Sequence, residues 1–412
     1  PYSKVQSVKN GIRASVRYFI PARGFHEIWT IRISNESPNQ RELSLFSVVD
    51  FYLEGFDYPR YHEMNRTLDA RFDGTLNGIL CQSDHPYTPH DRYNGFLACS
   101  EKVFAYDAYL KRFTGGTGSF ARPTLLLSGK DCTNSNRACY DTGSVLQNKM
   151  LLEPGESREI HLVYGLAVSL KEARQVSEST FQKGAVENQL EETRKNMDDK
   201  YSSISCETPE PRINQVMNNW VKKQVDFCIV GKKGVRDNAQ VASALLMYRQ
   251  EMAEREILEI MRHQYQSGNA VLTWLPLDET RYSDQPFWII WAVTELIKET
   301  GNFGILDKEI DYQDGGAGTV YEHLKAGINR LLEDRGKNGL VKIFFADWND
   351  ALNVLDDPNA ESVMLTEQFC LALLEMADLT HRIGETEYSV YLQEKYKEVK
   401  SAINQNAWDG KW

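Results

Sequence analysis

The chain has 412 residues, enough for a large core and, by length alone, for two or more domains. With 42% hydrophobic and 25% charged residues it is ordinarily globular, and a net charge of −11 without any concentrated basic patch excludes nucleic acid or an anionic membrane surface as the main partner. The longest apolar run, residues 287–293, is far too short to cross a bilayer, and the opening residues show no charged segment followed by an apolar core, so a soluble protein is expected.

Residues 1–169 alternate. Ile12, Ala14, Val16, Tyr18 and Ile20 fall on one strand face with Arg13, Ser15 and Arg17 on the other, and Trp29, Ile31 and Ile33 repeat the pattern before a turn at Ser37-Pro38-Asn39-Gln40. Further strands are expected over 43–53 and, after the Glu153-Pro154-Gly155-Glu156 turn, over 158–169. Many antiparallel strands without intervening helices predict a β-sandwich. Residues 170–206 are polar, charged and helix-favouring, as in a helical connector.

From 207 onward the period is helical. Thr208-Pro209 is expected to open a helix carrying Ile213, Val216, Trp220 and Phe227 on one face, followed by helices at about 238–249, 251–266, 285–300, 319–335, 358–383 and 386–405. Thr319 with Glu322 fits a capping box, Asp357-Pro358 fits a helix start, and Gly268, Gly301, Gly336 and Gly384 follow helix ends.

Seven cysteines at 81, 99, 132, 139, 206, 228 and 370 contain no CxxC pair, and no two of the eight histidines have the helical spacing of metal ligands. Reduced thiols in a cytoplasmic protein, with neither zinc nor a disulfide framework, are the expectation.

The polar residues with chemistry to offer sit in the loops between helices. Asp347-Trp348-Asn349-Asp350 crowds two carboxylates, an indole and a carboxamide behind an apolar run. A pyranose needs a flat wall for its C–H face, hydrogen-bond partners for its hydroxyls and a protonated acid at the glycosidic oxygen, and these four side chains supply all three. The same residues also suit the cap of a short helix starting near Ala351.

Lys232-Lys233-Gly234-Val235-Arg236-Asp237 precedes a helix whose start favours an anion or a hydroxyl cluster, while Asp237 with Gln240 also has capping-box spacing. Tyr282-Ser283-Asp284-Gln285-Pro286-Phe287-Trp288 is another polar helix start, with Ser283 or Asp284 as cap and the indole as core. Gly315-Gly316-Ala317-Gly318 lacks a dinucleotide fingerprint and reads as a flexible helix entry. Glu322 and His323 are adjacent on a helix, so only one of them can face a site.

A sandwich, a helical connector and an α-helical toroid, in that order, resemble the inverting glycoside phosphorylases related to cellobiose phosphorylase. The resemblance rests on residues 345–350 with Glu361-Ser362-Val363, on Gly234-Val235-Arg236-Asp237 with Gln240, on Tyr321-Glu322-His323-Leu324 and on Trp408-Asp409-Gly410-Lys411-Trp412. It implies part of an (α/α)6 toroid from 207 to 412 behind a sandwich at 1–169 and a linker at 170–206. Asp350 would be the general acid. Trp348, Asp237 and Asn349 would hold the donor sugar, supported by Arg236 and Asp347.

The implied reaction is phosphorolysis of a β-linked oligosaccharide to an α-glycosyl phosphate, by a homodimer with no cofactor other than phosphate as co-substrate. Family toroids have twelve helices with the phosphate site largely in the later ones. About seven are expected here, so an interior fragment is the expectation, with Lys232 and Lys233 as the nearby cations. Val241 also stands where relatives usually carry an acid. The competing readings are a hydrolase on the same toroid, with Glu322 or Asp284 as second carboxylate, and a non-catalytic carbohydrate-binding protein.

Overall fold

The computed structural model describes the chain except residues 52, 54–67, 84–92, 117, 139–141, 230–232, 353–356 and 412. Lys232 therefore lies outside the described residues. The chain divides into two compact units, Pro1–Asp199 and Lys200–Trp412.

The first unit is an antiparallel sandwich. Strands β1 (Ser3–Lys9), β2 (Ile12–Phe19), β3 (His26–Asn35), β4 (Arg41–Asp50), β5 (Leu68–Asp73), β6 (Gly78–Ser83), β7 (Asn94–Cys99), β8 (Ala105–Tyr109), β9 (Arg137–Ala138), β10 (Thr142–Leu152) and β11 (Ser157–Ala167) are joined, among the described residues, by two short helices, α1 (Leu110–Thr114) and α2 (Thr124–Ser128). One sheet runs β1-β2-β3-β11-β7-β6-β5-β9 and the other β4-β10-β8.

Alternation sets the register. Val16 pairs with Ile31 and Ile31 with Ile160, so their side chains share one face, and they pack with Leu146, Met150 and Leu152 of the smaller sheet into one buried core. Asn10 (φ 51) and Gly11 (φ 75) make the two-residue hairpin between β1 and β2, a left-handed turn suited to Asn-Gly. Two helices then follow, α3 (Leu170–Phe181), capped by the Ser169 hydroxyl on the Glu172 N–H, and α4 (Ala185–Tyr201).

The second unit is built of helices. They are α5 (Pro211–Gln215) continuing through a π segment at Val216–Trp220 into α6 (Val221–Cys228), then α7 (Val235–Leu246), α8 (Gln250–Met261), α9 (Gln285–Thr300), α10 (Val320–Glu333), α11 (Val363–Arg382) and α12 (Thr386–Asn406). Taking 211–228 as one, seven long helices are described. A continuous core joins them, from Val235, Leu245 and Ile257 through Trp288, Ile290 and Val293 to Leu324, Phe369, Met376 and Leu392. Helix α9 is buried along nearly its whole length, which explains why its sequence is apolar on every side.

Several expected helix starts are displaced. Thr208 does not open a helix, because its hydroxyl and its N–H are both taken by Asn214 Oδ1, so α5 starts at Pro211 with Glu210 as cap. The face bearing Ile213, Val216, Trp220 and Phe227 is exposed. Asp357 accepts from the Asn359 N–H in a local turn instead of capping a helix. Residues 361–362 pair with 341–342, so α11 starts at Val363 under a Ser362 cap. Gly234, not Asp237, is the N-cap of α7. Gly315 and Gly316, at φ 91 and 77, turn a hairpin between β12 (Glu309–Asp311) and β13 (Ala317–Thr319), which leads into α10. Among the described residues no helix is long and apolar enough to cross a membrane.

Candidate active site

The loop at 344–350 is fixed before its polar residues begin. Phe344 adopts a left-handed φ of 49, costly for a bulky side chain, with the Arg281 guanidinium 3.6 Å over its ring and Tyr282 bridging to both Phe344 and Ala346. The Ser283 hydroxyl donates to the carbonyls of Ile343 and Ala346, so it anchors the loop and does not cap α9. These bonds bring the approach to α9 against the loop that follows α10.

Arg236, in the first turn of α7, joins three chain segments. Its Nη1 donates to the Asp347 carbonyl at 3.1 Å and to Asp284 Oδ2 at 3.3 Å, and its Nη2 donates to Asp350 Oδ1 at 2.8 Å. The guanidinium is nearly buried and lies 5.7 Å from the centre of the Tyr282 ring. Burial works against its charge, but the Asp350 bond and the charges of Asp284, Asp350 and Asp237 outweigh that and hold it above its ordinary range. Asp237 is thus within electrostatic reach of the same cluster, at an exposed position on α7.

The four loop residues separate into two roles. Asp347 is 2% exposed, accepting from the Asn349 N–H at 2.8 Å through Oδ1 and from the Ser362 hydroxyl through Oδ2. Ser362 also caps α11 through the Leu365 N–H. Asp347 therefore shapes the loop. Trp348 is 52% exposed and the Asp350 side chain 62% exposed, so both are available to a ligand. Asn349 is exposed and accepts from the Ala351 N–H, which retains a share of the helix-capping reading.

Other candidates fall elsewhere. Asp284 is fully buried and accepts from Trp288 Nε1 at 2.8 Å and Gln285 Nε2 at 3.1 Å besides Arg236; burial pushes its carboxyl up, opposed by the indole N–H and the Arg236 charge. Lys233 is bonded to Glu256, which also accepts from Asn238, so this ammonium is already paired within the fold.

Glu322 closes the capping box with Thr319, and His323 is buried, held by Gln264 and the Ile310 carbonyl and stacked 3.9 Å from the Tyr312 ring. Arg281, next to the site, pairs with Asp334 at the far end of α10, so His323 lies about 16 Å away along that helix. The two do not join the Arg236 cluster.

Ser362 and Tyr282 lie in segments that the sequence marks, but their supporting roles, on Asp347 and along the 344–346 loop, were not assigned there. The signal for Ser362 was present as Ser362-Val363-Met364-Leu365 before an apolar run, an N-cap position obscured by the stronger-looking Asp357-Pro358.

The two-unit fold, a sandwich followed by helices in the (α/α)6 arrangement, is similar to that of a bacterial glucoamylase complexed with acarbose, at a TM-score of 0.57, 10% identity, and coverage of 96% of this chain and 55% of that one. The chain belongs to the glycosyl hydrolase 94 superfamily: residues 197–412 match its catalytic domain and residues 1–182 its supersandwich domain. It is 34% identical to a solabiose phosphorylase of Paenibacillus borealis over all of this chain and 54% of the relative. It is 27% identical to an N,N'-diacetylchitobiose phosphorylase of Vibrio proteolyticus over all of this chain and 56% of the relative. The chain thus spans about half the length of these curated relatives.

Proposed function

We propose that the protein catalyses inverting phosphorolysis of a β-linked di- or oligosaccharide, releasing an α-glycosyl 1-phosphate and a shortened acceptor. The observation that carries this reading is the state of the carboxylates. Asp350 is exposed beside Trp348, whereas Asp284 is wholly buried under three donors and Glu322 is locked in a capping box. An inverting hydrolase needs a second carboxylate to activate water, and neither of those two is placed for it; bound phosphate is itself the nucleophile and needs one acid only. The phosphorylase names of the relatives support the same choice.

In this reading Asp350 protonates the glycosidic oxygen, Trp348 forms the wall for the donor ring, Asp237 and Asn349 bind its hydroxyls, and Arg236 and Asp347 fix the loop. Residues 1–169, 170–206 and 207–412 are the sandwich, the connector and the catalytic part of a cytoplasmic homodimer whose co-substrate is inorganic phosphate, with no other cofactor.

The test is product analysis on the full-length protein with a panel of β-linked glucose and N-acetylglucosamine disaccharides, with and without phosphate. Stoichiometric glycosyl phosphate that appears only with phosphate is expected. Phosphate-independent release of free sugar would replace this reading with the hydrolase, and binding without turnover would replace it with a carbohydrate-binding protein.

A further inference from the structure

Asp350 accepts from the Arg236 guanidinium through Oδ1, yet a general acid also has to present a proton to its substrate from a free oxygen. The charge on Arg236 is shared. Its other amino group meets Asp284, which is fully buried, carries no exposed atom to offer a substrate, and lies in no position to act on one. Nor is Asp284 a helix cap: although it sits at the N-cap position of α9, its side chain accepts no backbone N–H there. Burying a carboxylate is costly unless it is paired, and the partners here are Arg236, the Trp288 indole and the Gln285 amide.

We propose that Asp284 is a positioning residue: the counter-ion that anchors Nη1 of Arg236 and balances its charge, so that Nη2 orients Asp350 through Oδ1 while Oδ2 remains free to carry the proton. Oδ2 has no partner among the described residues. On this arrangement, which rests on the phosphorolytic reading above, the proton leaves Oδ2 for the glycosidic oxygen as the C1–O bond breaks. A phosphate oxygen supplies the electron pair for the new bond to C1 on the opposite face, and the negative charge left on Asp350 is met by Nη2. Other charged or titratable groups near the pair are Asp237 on α7, Tyr282 ahead of α9 and Asp347 on the loop.

Asp284→Asn is the direct test, and the surroundings suit it. Gln285 Oε1 is buried without a hydrogen-bond partner, so the Gln285 amide can turn to accept from the new carboxamide while the Asn oxygen still accepts from Arg236 and Trp288. The change then removes the charge and little else. In the full-length protein, kcat for disaccharide phosphorolysis should fall about 30-fold with KM within about threefold, whereas a 2,4-dinitrophenyl glycoside of the same sugar, whose leaving group needs no proton, should lose less than about threefold. A merely structural role lowers both rates together and leaves their ratio unchanged, and that result overturns the proposal, as does full activity of the variant.

Should Asp284→Asn fail to fold, Gln285→Leu loosens the same carboxylate and keeps the ion pair; a selective loss of about fivefold on disaccharides supports the proposal, and an unchanged ratio overturns it. Wild-type phosphate dependence and the Asp350→Asn leaving-group pattern are measured first. If these fail, the functional reading fails and the proposal falls with it; if they hold and the Asp284→Asn ratio does not move, only the proposal falls.

Discussion

Two acidic segments on the approach to helices, Asp347–Asp350 and Thr319–His323, look equally promising as linear sequence and have opposite fates. At Thr319 the partners are local: Glu322 accepts from the Thr319 N–H at 2.7 Å and the Thr319 hydroxyl accepts from the Glu322 N–H at 3.2 Å, so the polar groups are satisfied within one turn. At Asp350 the partner is Arg236, 114 residues away, and Asp347 is held by Ser362 on the far side of its loop. A polar cluster that closes on itself stabilises an element. One that needs three separate helix starts to complete it is held in a geometry that its own sequence does not enforce, and it leaves side chains such as Trp348 and Asp350 facing solvent.

The largest expected effect lies at Asp350. Asp350→Asn in the full-length protein should lower phosphorolysis of natural disaccharides by about 10²–10⁴-fold or more while the circular dichroism and melting temperature stay near wild type, since the side chain is exposed. Wild-type turnover would dissolve the distinction between the two segments. Next is Arg236→Ala, which strands the buried Asp284 charge: urea unfolding should show a loss of about 3–5 kcal/mol along with the loss of activity. Ser362→Ala removes the cap of α11 and the Asp347 partner together, so about 1–2 kcal/mol of stability should go, and kcat should fall because the loop loosens.

The other segment should answer in stability alone. Thr319→Ala should cost about 1 kcal/mol by denaturant titration with kcat unchanged, and Glu322→Gln should leave kcat unchanged as well. A hundredfold fall in kcat for Glu322→Gln would restore it as a second catalytic carboxylate.

The smallest effect concerns acid stability. Burial holds the His323 pKa below the ordinary histidine value, against the Ile310 carbonyl bond and the Glu322 charge. The unfolded chain therefore takes up the proton first, so this stabilisation is present above the unfolded value near pH 6.5 and is lost as pH falls from there through the lower folded value. Unfolding free energies at pH 7 and pH 5 should converge for His323→Gln more than for wild type, and an unaltered slope would remove His323 from the buried set.

Much of the helical half was legible in order and number. The 3.6-residue periods over 285–300, 319–335 and 386–405 correspond to α9, α10 and α12 within two residues at each end, because each has strong end signals and a broad apolar surface. Starts were less legible where two polar residues competed for one N-terminus: Asp357 lost to Ser362, and Thr208 to Glu210, since each losing side chain is committed to a local turn and not to the helix N–H groups. In the sandwich the alternation at 12–18 and 29–33 gave each strand its inward face, although Ile20 lies beyond β2 and is exposed, but the partnership of β3 with β11 and of β4 with β10 joins residues 93 to 139 positions apart, which no local period encodes.

At the site the amino-acid order alone settled which groups were available: an indole, two carboxylates and a carboxamide in four residues, and an arginine beside an aspartate ahead of another helix. It could not decide that Asp347 would turn inward and Asp350 outward, that Lys233 would be taken by Glu256, or that Asp284 would sit under Arg236. Those assignments follow from which polar atoms lose water when the helix starts converge. A buried polar group must find whatever donor or acceptor the packed neighbours present, and only the tertiary structure determines who those neighbours are.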